Sequence, residues 1–308
     1  AARDPSLVSP AAHERFLEAI FADASLALLF TGNIGRSRAN AITQEVESLL
    51  GVSRGKQVNS LSGYGQVLKP NEDVEVHVSN PIPNDPNSAT VVTYQFGVPS
   101  IADRIHLSLL GEFIEQPVFD TLRTEHQLGY VVWGFATIHG SIGEVRVIVQ
   151  GFRESPDVVQ ALIEGTVQNL TSSIAAISQD DFQIRKGTLR TSLLKEPATM
   201  SQFKGKFWGQ IWDEEYCFNK QQLQLQRLED PSFVSAAPLL DAWRRTVDPN
   251  TQRKVTVKLY SSKASQAAEA NSLVATRRPV KLVTNVDSQS VSMLMSNESY
   301  WPHVFKCE

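Results

Sequence analysis

The sequence predicts an α+β fold in which helices cover one face of a mostly antiparallel sheet. The chain has 308 residues, of which 42% are hydrophobic and 20% charged, enough for one or two globular domains. Alternating apolar residues, typical of strands, are grouped in the first half of the chain, whereas helical periodicity dominates residues 156–245. Strands and helices that are grouped, rather than strictly alternating, indicate this fold class.

The first 70 residues predict two helices around one strand, followed by a linker. Apolar residues at helical spacing follow Ser9 and Pro10, which are residue types favoured at a helix start. Residues 25–30 predict a strand, and residues 37–50 predict a second helix that stops at Gly51. Residues 51–73 are rich in Ser, Gly, Lys and Asn, so we place a domain boundary near Pro70.

Two strands, a long helix and a hairpin are predicted next. Apolar and polar residues alternate in 74–78 and again in 90–98, as in half-buried strands. Residues 100–124 carry a helical stripe with an irregularity at Pro117. Residues 130–138 and 142–151 then predict two strands, and the short turn between them favours an antiparallel hairpin.

The second half of the chain is predicted to be mainly helical. Ser155, Pro156 and Asp157 form a typical helix start, and that helix reaches about residue 177. Further helices are predicted over 179–194, 201–216 and 230–245. Residues 255–260 alternate and predict a last strand, and the remaining tail is polar and uneven.

Composition excludes several classes of protein. A net charge of -4 and a pI near 5.9 give no electrostatic reason to bind nucleic acid or an anionic membrane. No apolar run reaches the roughly 18 residues of a membrane helix. Few cysteines and no visible signal sequence favour a cytoplasmic location. The start at Ala1, without Met, indicates an internal cut of a longer protein.

Motifs for metal binding and nucleophilic catalysis are missing from the sequence. None of the six histidines begins an HExxH or HxxEH motif, and no GxSxG elbow is present. Cys217 and Cys307 have no CxxC partners, which argues against a cysteine zinc site, and we do not expect them to form a disulfide. Composition and spacing alone therefore lead no further than an α+β protein.

One segment carries more information. Residues 119–132 read FDTLRTEHQLGYVV, which closely resembles the F-x-x-L-R-T-x-x-Q-L-G-Y-x-V segment in the C-terminal half of the insulysin and pitrilysin family of inverted-zincin metallopeptidases. Residues 143–150 and 206–211 are similar to further family segments in the same order. The resemblance covers the chain roughly from residue 10 to 260.

The resemblance implies a clamshell of four similar domains, with zinc bound by HxxEH and a distal Glu in the first domain. Residues 1–70 would then be the C-terminal part of the third domain, 71–278 the fourth domain and 279–308 a C-terminal tail. The zinc ligands would lie outside this chain, which would bind no cofactor itself. The implied partners are peptide substrates and the N-terminal zinc-bearing half, with a homo-oligomer possible, and neither nucleic acid nor membrane.

The resemblance also assigns candidate site residues. Arg123 and Tyr130 match the catalytic and substrate-binding Arg and Tyr of the motif, and Phe119 matches a residue that lines the pocket beside the scissile bond. Guanidinium and phenol groups can donate hydrogen bonds to a peptide carbonyl that gains charge. Gly129 would permit a sharp exit that aims Tyr130 into the site. The structural alternative is an Arg123 that pairs with Glu125 or a helix end, and a Tyr130 packed in the sheet.

The function that the resemblance implies is that of the zinc-free C-terminal half of an insulysin-like zinc metalloendopeptidase, inactive alone. Such an enzyme encloses short peptides. Residues 195–199 lack the lysine cluster that would support regulation by polyanions. The alternative is a non-catalytic scaffold or peptide-binding relative of the same fold.

Overall fold

The computed structural model describes residues 9–22, 26–51, 67–262, 280–284 and 299–301. They belong to two compact units. The first lies within Ala1–Gly63 and Glu196–Phe218, and the second within Tyr64–Lys195 and Asn219–Glu308. The division into family domains at residues 70 and 278 stays a prediction.

The secondary structure of the described residues follows the predicted order closely. The helices are α1 (Pro10–Ala22), α2 (Arg36–Leu50), α3 (Ile101–Val118), α4 (Pro156–Ala175), α5 (Gln179–Leu194), α6 (Met200–Trp212), α7 (Lys220–Leu228) and α8 (Ala236–Val247). The strands are β1 (Leu68–Lys69), β2 (Asp73–Ser79), β3 (Ser88–Gly97), β4 (Val131–His139), β5 (Ile142–Gly151), β6 (Lys254–Tyr260), β7 (Val280–Thr284) and β8 (Ser299–Tyr300).

The first unit contains α1, α2 and α6. The Ser9 hydroxyl accepts a hydrogen bond from the Ala12 amide at 3.2 Å, and Gly51 ends α2 with a left-handed φ of 65°, as predicted. The strand predicted over 25–30 is wrong for residues 26–30, which are not in a strand, while residue 25 lies outside the described residues. A strand needs a neighbour for its backbone hydrogen bonds, and no described strand pairs with this segment.

The main sheet of the second unit has six strands in the order β4-β5-β3-β6-β2-β7. The prediction that it is mostly antiparallel is wrong, because the sheet is mixed. The predicted hairpin β4–β5 and the pairs β5–β3 and β3–β6 are antiparallel, but β2 pairs in parallel with both β6 and β7. The cause is that β6 inserts between β3 and β2, which are consecutive along the chain.

Helices and sheet share one apolar core, which confirms the α+β class. α3 packs against β4 and β5, α4 against β3 and β6, and α8 against β3. Along each strand, every second side chain points toward these helices. The core residues Val92, Val132 and Val147 are among these side chains. Each is at most 1% exposed.

Four details differ from the predictions. α7 was not predicted, and α8 begins at Ala236 rather than near residue 230. β6 is not the last strand, because β7 adds an edge to the main sheet. Cys217 is disulfide-bonded, contrary to expectation, since spacing along the chain does not show which thiols meet in space; Cys307 lies outside the described residues.

No helix within the described residues is long and apolar enough to cross a membrane. The cytoplasmic location stays a prediction.

Candidate functional site

The three site residues singled out by the sequence motif meet in the structure. The Arg123 guanidinium carbon lies 4.9 Å from the centre of the Phe119 ring and 5.0 Å from the centre of the Tyr130 ring. These distances are within the range of cation–π attraction. The two aromatic rings therefore hold the position of the guanidinium without a carboxylate.

A change from α-helix to π-helix at the end of α3 places Phe119 and Arg123. Pro117 has no amide hydrogen, and from Phe119 to Glu125 the helix continues as a wider π-helical turn. The His126 amide donates to the Thr121 carbonyl, five residues back, at 3.0 Å. Phe119 and Arg123 are four residues apart, so both side chains lie on one side of the turn. The irregularity predicted at Pro117 is confirmed.

The exit from the π-helical turn places Tyr130. Gln127 has a left-handed φ of 52°, and its side-chain oxygen accepts a hydrogen bond from Arg153 Nη1 at 2.7 Å. The sharp exit expected at Gly129 therefore lies at Gln127. Gly129 has another role: a Cβ atom there would lie 2.0 Å from the Gln150 carbonyl oxygen, so only glycine permits this close approach to the end of β5.

Sequence reasoning did not find the contact between Arg153 and Gln127. The two residues are 26 positions apart, and their side chains carry no local signal of contact. The only indication in the sequence was that Gln127 lies within the family-like motif of residues 119–132.

The contacts expected under the structural alternative do not occur among the described residues. Tyr130 is 83% exposed and is therefore not packed in the sheet. Arg123 is half-buried. Within the part of the chain that the structure describes, it forms no ion pair or hydrogen bond with a carboxylate, including that of Glu125. The guanidinium can thus use its N–H groups for a ligand.

The described residues do not suit a zinc ion. Within them, no group of three or more His, Cys, Asp or Glu side chains could hold a metal. A zinc site needs three or four such ligands, so these residues do not fit the group.

A cavity of about 480 Å³ lies elsewhere on the second unit. It is lined by His106, Pro238, Asp241, Arg244 and Arg245. None of the three motif residues lines this cavity.

Comparison with known proteins agrees with the sequence motif. The family described as PQQ synthase PqqF-like, C-terminal lobe domain 4, matches residues 109–208, which include all three site residues. The insulin-degrading enzyme of Bos taurus is 27% identical over 218 residues, covering 70% of this chain and 21% of that protein. Over most of its length, this chain is similar to proteins of the insulysin and pitrilysin family. It spans about a fifth of the length of this relative.

Two further relatives extend the comparison. A putative zinc protease of Caenorhabditis elegans is 33% identical over 129 residues, covering 42% of this chain and 15% of that protein. The crystal structure of pitrilysin superposes with a TM-score of 0.72 at 18% identity, covering 87% of this chain and 27% of that one. At that identity the superposition shows the fold alone, and it confirms the pitrilysin-like α+β fold.

Proposed function

We propose that this chain is the zinc-free C-terminal half of an insulysin-like zinc metalloendopeptidase and contributes substrate-binding and transition-state residues. The observation that carries the proposal is the Arg123 guanidinium held between Phe119 and Tyr130 with no carboxylate partner among the described residues.

Each of the three residues has a distinct role in this proposal. Arg123 and the Tyr130 hydroxyl donate hydrogen bonds to a peptide carbonyl oxygen as it gains negative charge. One such donor is worth about 3 kcal/mol in the transition state. Phe119 lines the pocket for a substrate side chain and holds the guanidinium in place.

The remaining parts of the site come from outside the chain in this proposal. Residues 1–70 form the end of the third family domain and residues 71–278 the fourth, with 279–308 as a tail. The zinc ion, which would activate the peptide bond for attack by water, is held by the N-terminal half. Because that half is required, the 308-residue chain alone is inactive.

The first test is complementation. A quenched fluorescent peptide of about ten residues is incubated with the chain alone, with its separately made N-terminal half, and with both. We expect cleavage only in the mixture, and we expect a chelator to abolish it. If the halves associate without cleavage, the proposal fails and the non-catalytic scaffold becomes the better description.

The second test addresses the roles of Arg123 and Tyr130 in the full-length protein. We expect Arg123→Ala and Tyr130→Phe each to lower kcat/KM by about 100-fold, the usual cost of one transition-state donor. Zinc content and melting temperature should be nearly unchanged. Arg38→Ala and Tyr216→Phe, at exposed positions of the first unit, are the matched controls. Unchanged turnover in both site variants would refute the assignment.

A further inference from the structure

The position of Tyr130 depends on the backbone that carries it. Its side chain is 83% exposed, and its ring contacts the Arg123 guanidinium, whose carbon lies 5.0 Å from the ring centre. Arg123 is more firmly placed, because it is half-buried and also contacts the Phe119 ring. Of the two proposed donors, Tyr130 is therefore the one whose place is set mainly by the backbone on either side of it.

Tyr130 lies between two segments of backbone. On one side, strand β4 begins at Val131, which pairs with Gln150 on β5. On the other side lie residues 127–129, which we call the exit segment because they lead out of the π-helical turn. The exit segment is not part of a strand, so contacts other than a strand ladder hold it near β5.

Two glycines let the exit segment approach the end of β5 closely. A Cβ atom on Gly129 would lie 2.0 Å from the Gln150 carbonyl oxygen. A Cβ atom on Gly151 would lie 2.0 Å from the Leu128 carbonyl oxygen. Glycine permits this approach but has no side chain that could fasten it. The Leu128 amide donates to the Leu122 carbonyl at 3.0 Å, which ties the exit segment to the π-helical turn and not to β5.

Arg153 supplies a direct link between the end of β5 and the exit segment. It follows Gly151, the last residue of β5, by two positions, and its Nη1 donates to the Gln127 side-chain oxygen at 2.7 Å. Gln127 has a left-handed φ of 52°. Residues other than Gly, Asn and Asp rarely adopt this conformation, and it persists only where the surrounding structure holds it. The hydrogen bond from Arg153 is a restraint of this kind.

We propose that Arg153 is a positioning residue for Tyr130. By holding Gln127 in its left-handed conformation, Arg153 keeps the exit segment against the end of β5. Tyr130 then stays beside the Arg123 guanidinium. This inference rests on the proposed function and adds a residue to it. Arg153 does not touch the substrate in this proposal, which distinguishes it from a further donor.

The first test separates positioning from substrate binding in the full-length protein. Arg153→Met removes the donor, and we expect kcat to fall about tenfold with KM within about twofold, because a displaced Tyr130 weakens the transition state alone. Arg153→Lys keeps a donor for Gln127 and should restore most of the lost kcat.

Arg190→Met is the matched control for this test. It removes another exposed arginine, whose Nε donates to Glu229 at 2.9 Å, and it should leave kcat unchanged. A loss confined to KM, no recovery in Arg153→Lys, or an equal loss in Arg190→Met would each overturn the proposal.

A double-mutant cycle tests whether Arg153 acts through Tyr130. In the Tyr130→Phe background, the hydroxyl that Arg153 positions is absent, so adding Arg153→Met should lower kcat further by less than about twofold. A second loss as large as the first would show that Arg153 acts independently of Tyr130, and it would refute the assignment.

Fluorine NMR of the 308-residue chain gives a readout that does not depend on cleavage. The tyrosines are replaced with fluorotyrosine, and the Tyr130 resonance is the one that is missing in Tyr130→Phe. We expect this resonance to shift and broaden in Arg153→Met but not in Arg190→Met, because the ring loses its fixed position.

This readout distinguishes failure of the inference from failure of the proposed function. An unchanged Tyr130 resonance in Arg153→Met refutes the inference and leaves the proposed function standing. Unchanged turnover in both Arg123→Ala and Tyr130→Phe refutes the proposed function, whereas a changed resonance in Arg153→Met still shows that Arg153 sets the position of Tyr130.

Discussion

The surface of the main sheet that faces the helices has two unlike halves. Under α3, strands β4, β5 and β3 present valines that are at most 1% exposed: Val132, Val147 and Val92. Under α4, strands β6 and β2 present ionisable side chains that are 4–11% exposed: Asp73, Glu75, Lys254 and Lys258. One sheet thus packs one part of its covered face with valines and the other with paired charges.

Two lysines organise the charged half. Lys258 Nζ donates to Glu75 Oε2 and to Asp157 Oδ1, both at 2.8 Å. The Tyr260 hydroxyl adds a hydrogen bond to Asp157 at 3.2 Å. Glu75 lies on β2 and Asp157 at the start of α4, so one ammonium group on β6 joins three elements.

The second lysine repeats this arrangement. Lys254 Nζ lies 2.7 Å from Glu164 Oε1 on α4 and 3.1 Å from Asp73 Oδ2 on β2. Gln160 connects the two halves of the network, because its amide nitrogen donates to Glu75 at 3.0 Å and to Glu164 at 2.8 Å. Each lysine therefore bonds one acid of the parallel neighbour strand and one acid of the helix.

The two halves of this surface contribute differently to the fold. A buried valine can pack against many apolar side chains of suitable volume. A buried ammonium group, in contrast, is stable only where acidic side chains lie within hydrogen-bonding distance. We infer that the charged half fixes β6 in parallel register with β2 and under α4, while the apolar half supplies most of the hydrophobic stabilisation. The following predictions test this contrast.

The largest effect is expected from Lys258→Met. The change leaves the Glu75 and Asp157 carboxylates without their shared cation, and breaking a buried ion pair in this way costs about 3–5 kcal/mol. We expect the midpoint of urea unfolding to fall accordingly. Lys204→Met, at an exposed position of α6, is the control and should change stability by less than about 0.5 kcal/mol. A loss below about 1 kcal/mol for Lys258→Met would contradict the inference.

The second prediction concerns acid stability. Burial by itself would raise the pKa of Glu75, but hydrogen bonds from His77 and Lys258 and the Lys258 charge lower that pKa from 4.5 to about 2. A carboxylate with a lowered folded-state pKa stabilises fully above about pH 4.5, and this contribution is lost as the pH falls to about 2. The difference corresponds to on the order of 3 kcal/mol.

Glu75→Gln should therefore flatten the dependence of stability on pH between about 4.5 and 2. Melting temperatures measured across this range give the slope for each variant. Glu45→Gln, which removes an exposed carboxylate of α2, should keep the slope of the unmodified chain. Equal slopes for the unmodified chain and Glu75→Gln would show that Glu75 does not carry the acid sensitivity.

The third prediction makes the apolar half polar. Val147 is 1% exposed on β5, its register partners Val92 and Gly134 carry no hydroxyl, and Val147→Thr replaces one methyl group with a hydroxyl of similar shape. A buried hydroxyl without a partner costs about 1–3 kcal/mol, so we expect a lower midpoint of urea unfolding by that amount. A change within the error of the measurement would show that this half tolerates polar groups as the charged half does.

The contrast between the halves also explains which features of the fold were predictable. Local patterns were sufficient for the β4–β5 hairpin, for α4 after Ser155 and for the irregular helix that follows Pro117, because turns, caps and proline act on neighbouring residues. The order of the strands was not predictable. The insertion of β6 between β3 and β2 depends on contacts between residues about 180 positions apart, such as Lys258 with Glu75.

The alternating sequence of β6 also did not show which side of the strand faces the helices. Alternation along residues 255–260 predicts a strand but not which side faces the helices, and the usual assumption would bury Val255 and Val257. The structure instead buries Lys254 and Lys258, since their acids lie on β2 and α4. For the candidate site, the motif singled out Phe119, Arg123 and Tyr130, which meet as expected, while their roles stay proposals.

The smallest expected effect is a gain in stability, and it lies directly opposite Val92. Thr256 on β6 is the register partner of Val92 and is fully buried, yet its hydroxyl oxygen has no hydrogen-bond partner among the described residues. Thr256→Val removes this unsatisfied group at nearly constant shape and should raise stability by about 1 kcal/mol, measured as a higher urea midpoint.

Thr246→Val is the matched control for this last change. Thr246 is 1% exposed, and its hydroxyl donates to the Ala242 carbonyl at 2.8 Å, so the same substitution there removes a satisfied hydrogen bond. We expect that variant to lose about 1 kcal/mol. If Thr256→Val is destabilising as well, the hydroxyl of Thr256 stabilises the fold, and its assignment as an unsatisfied buried group is wrong.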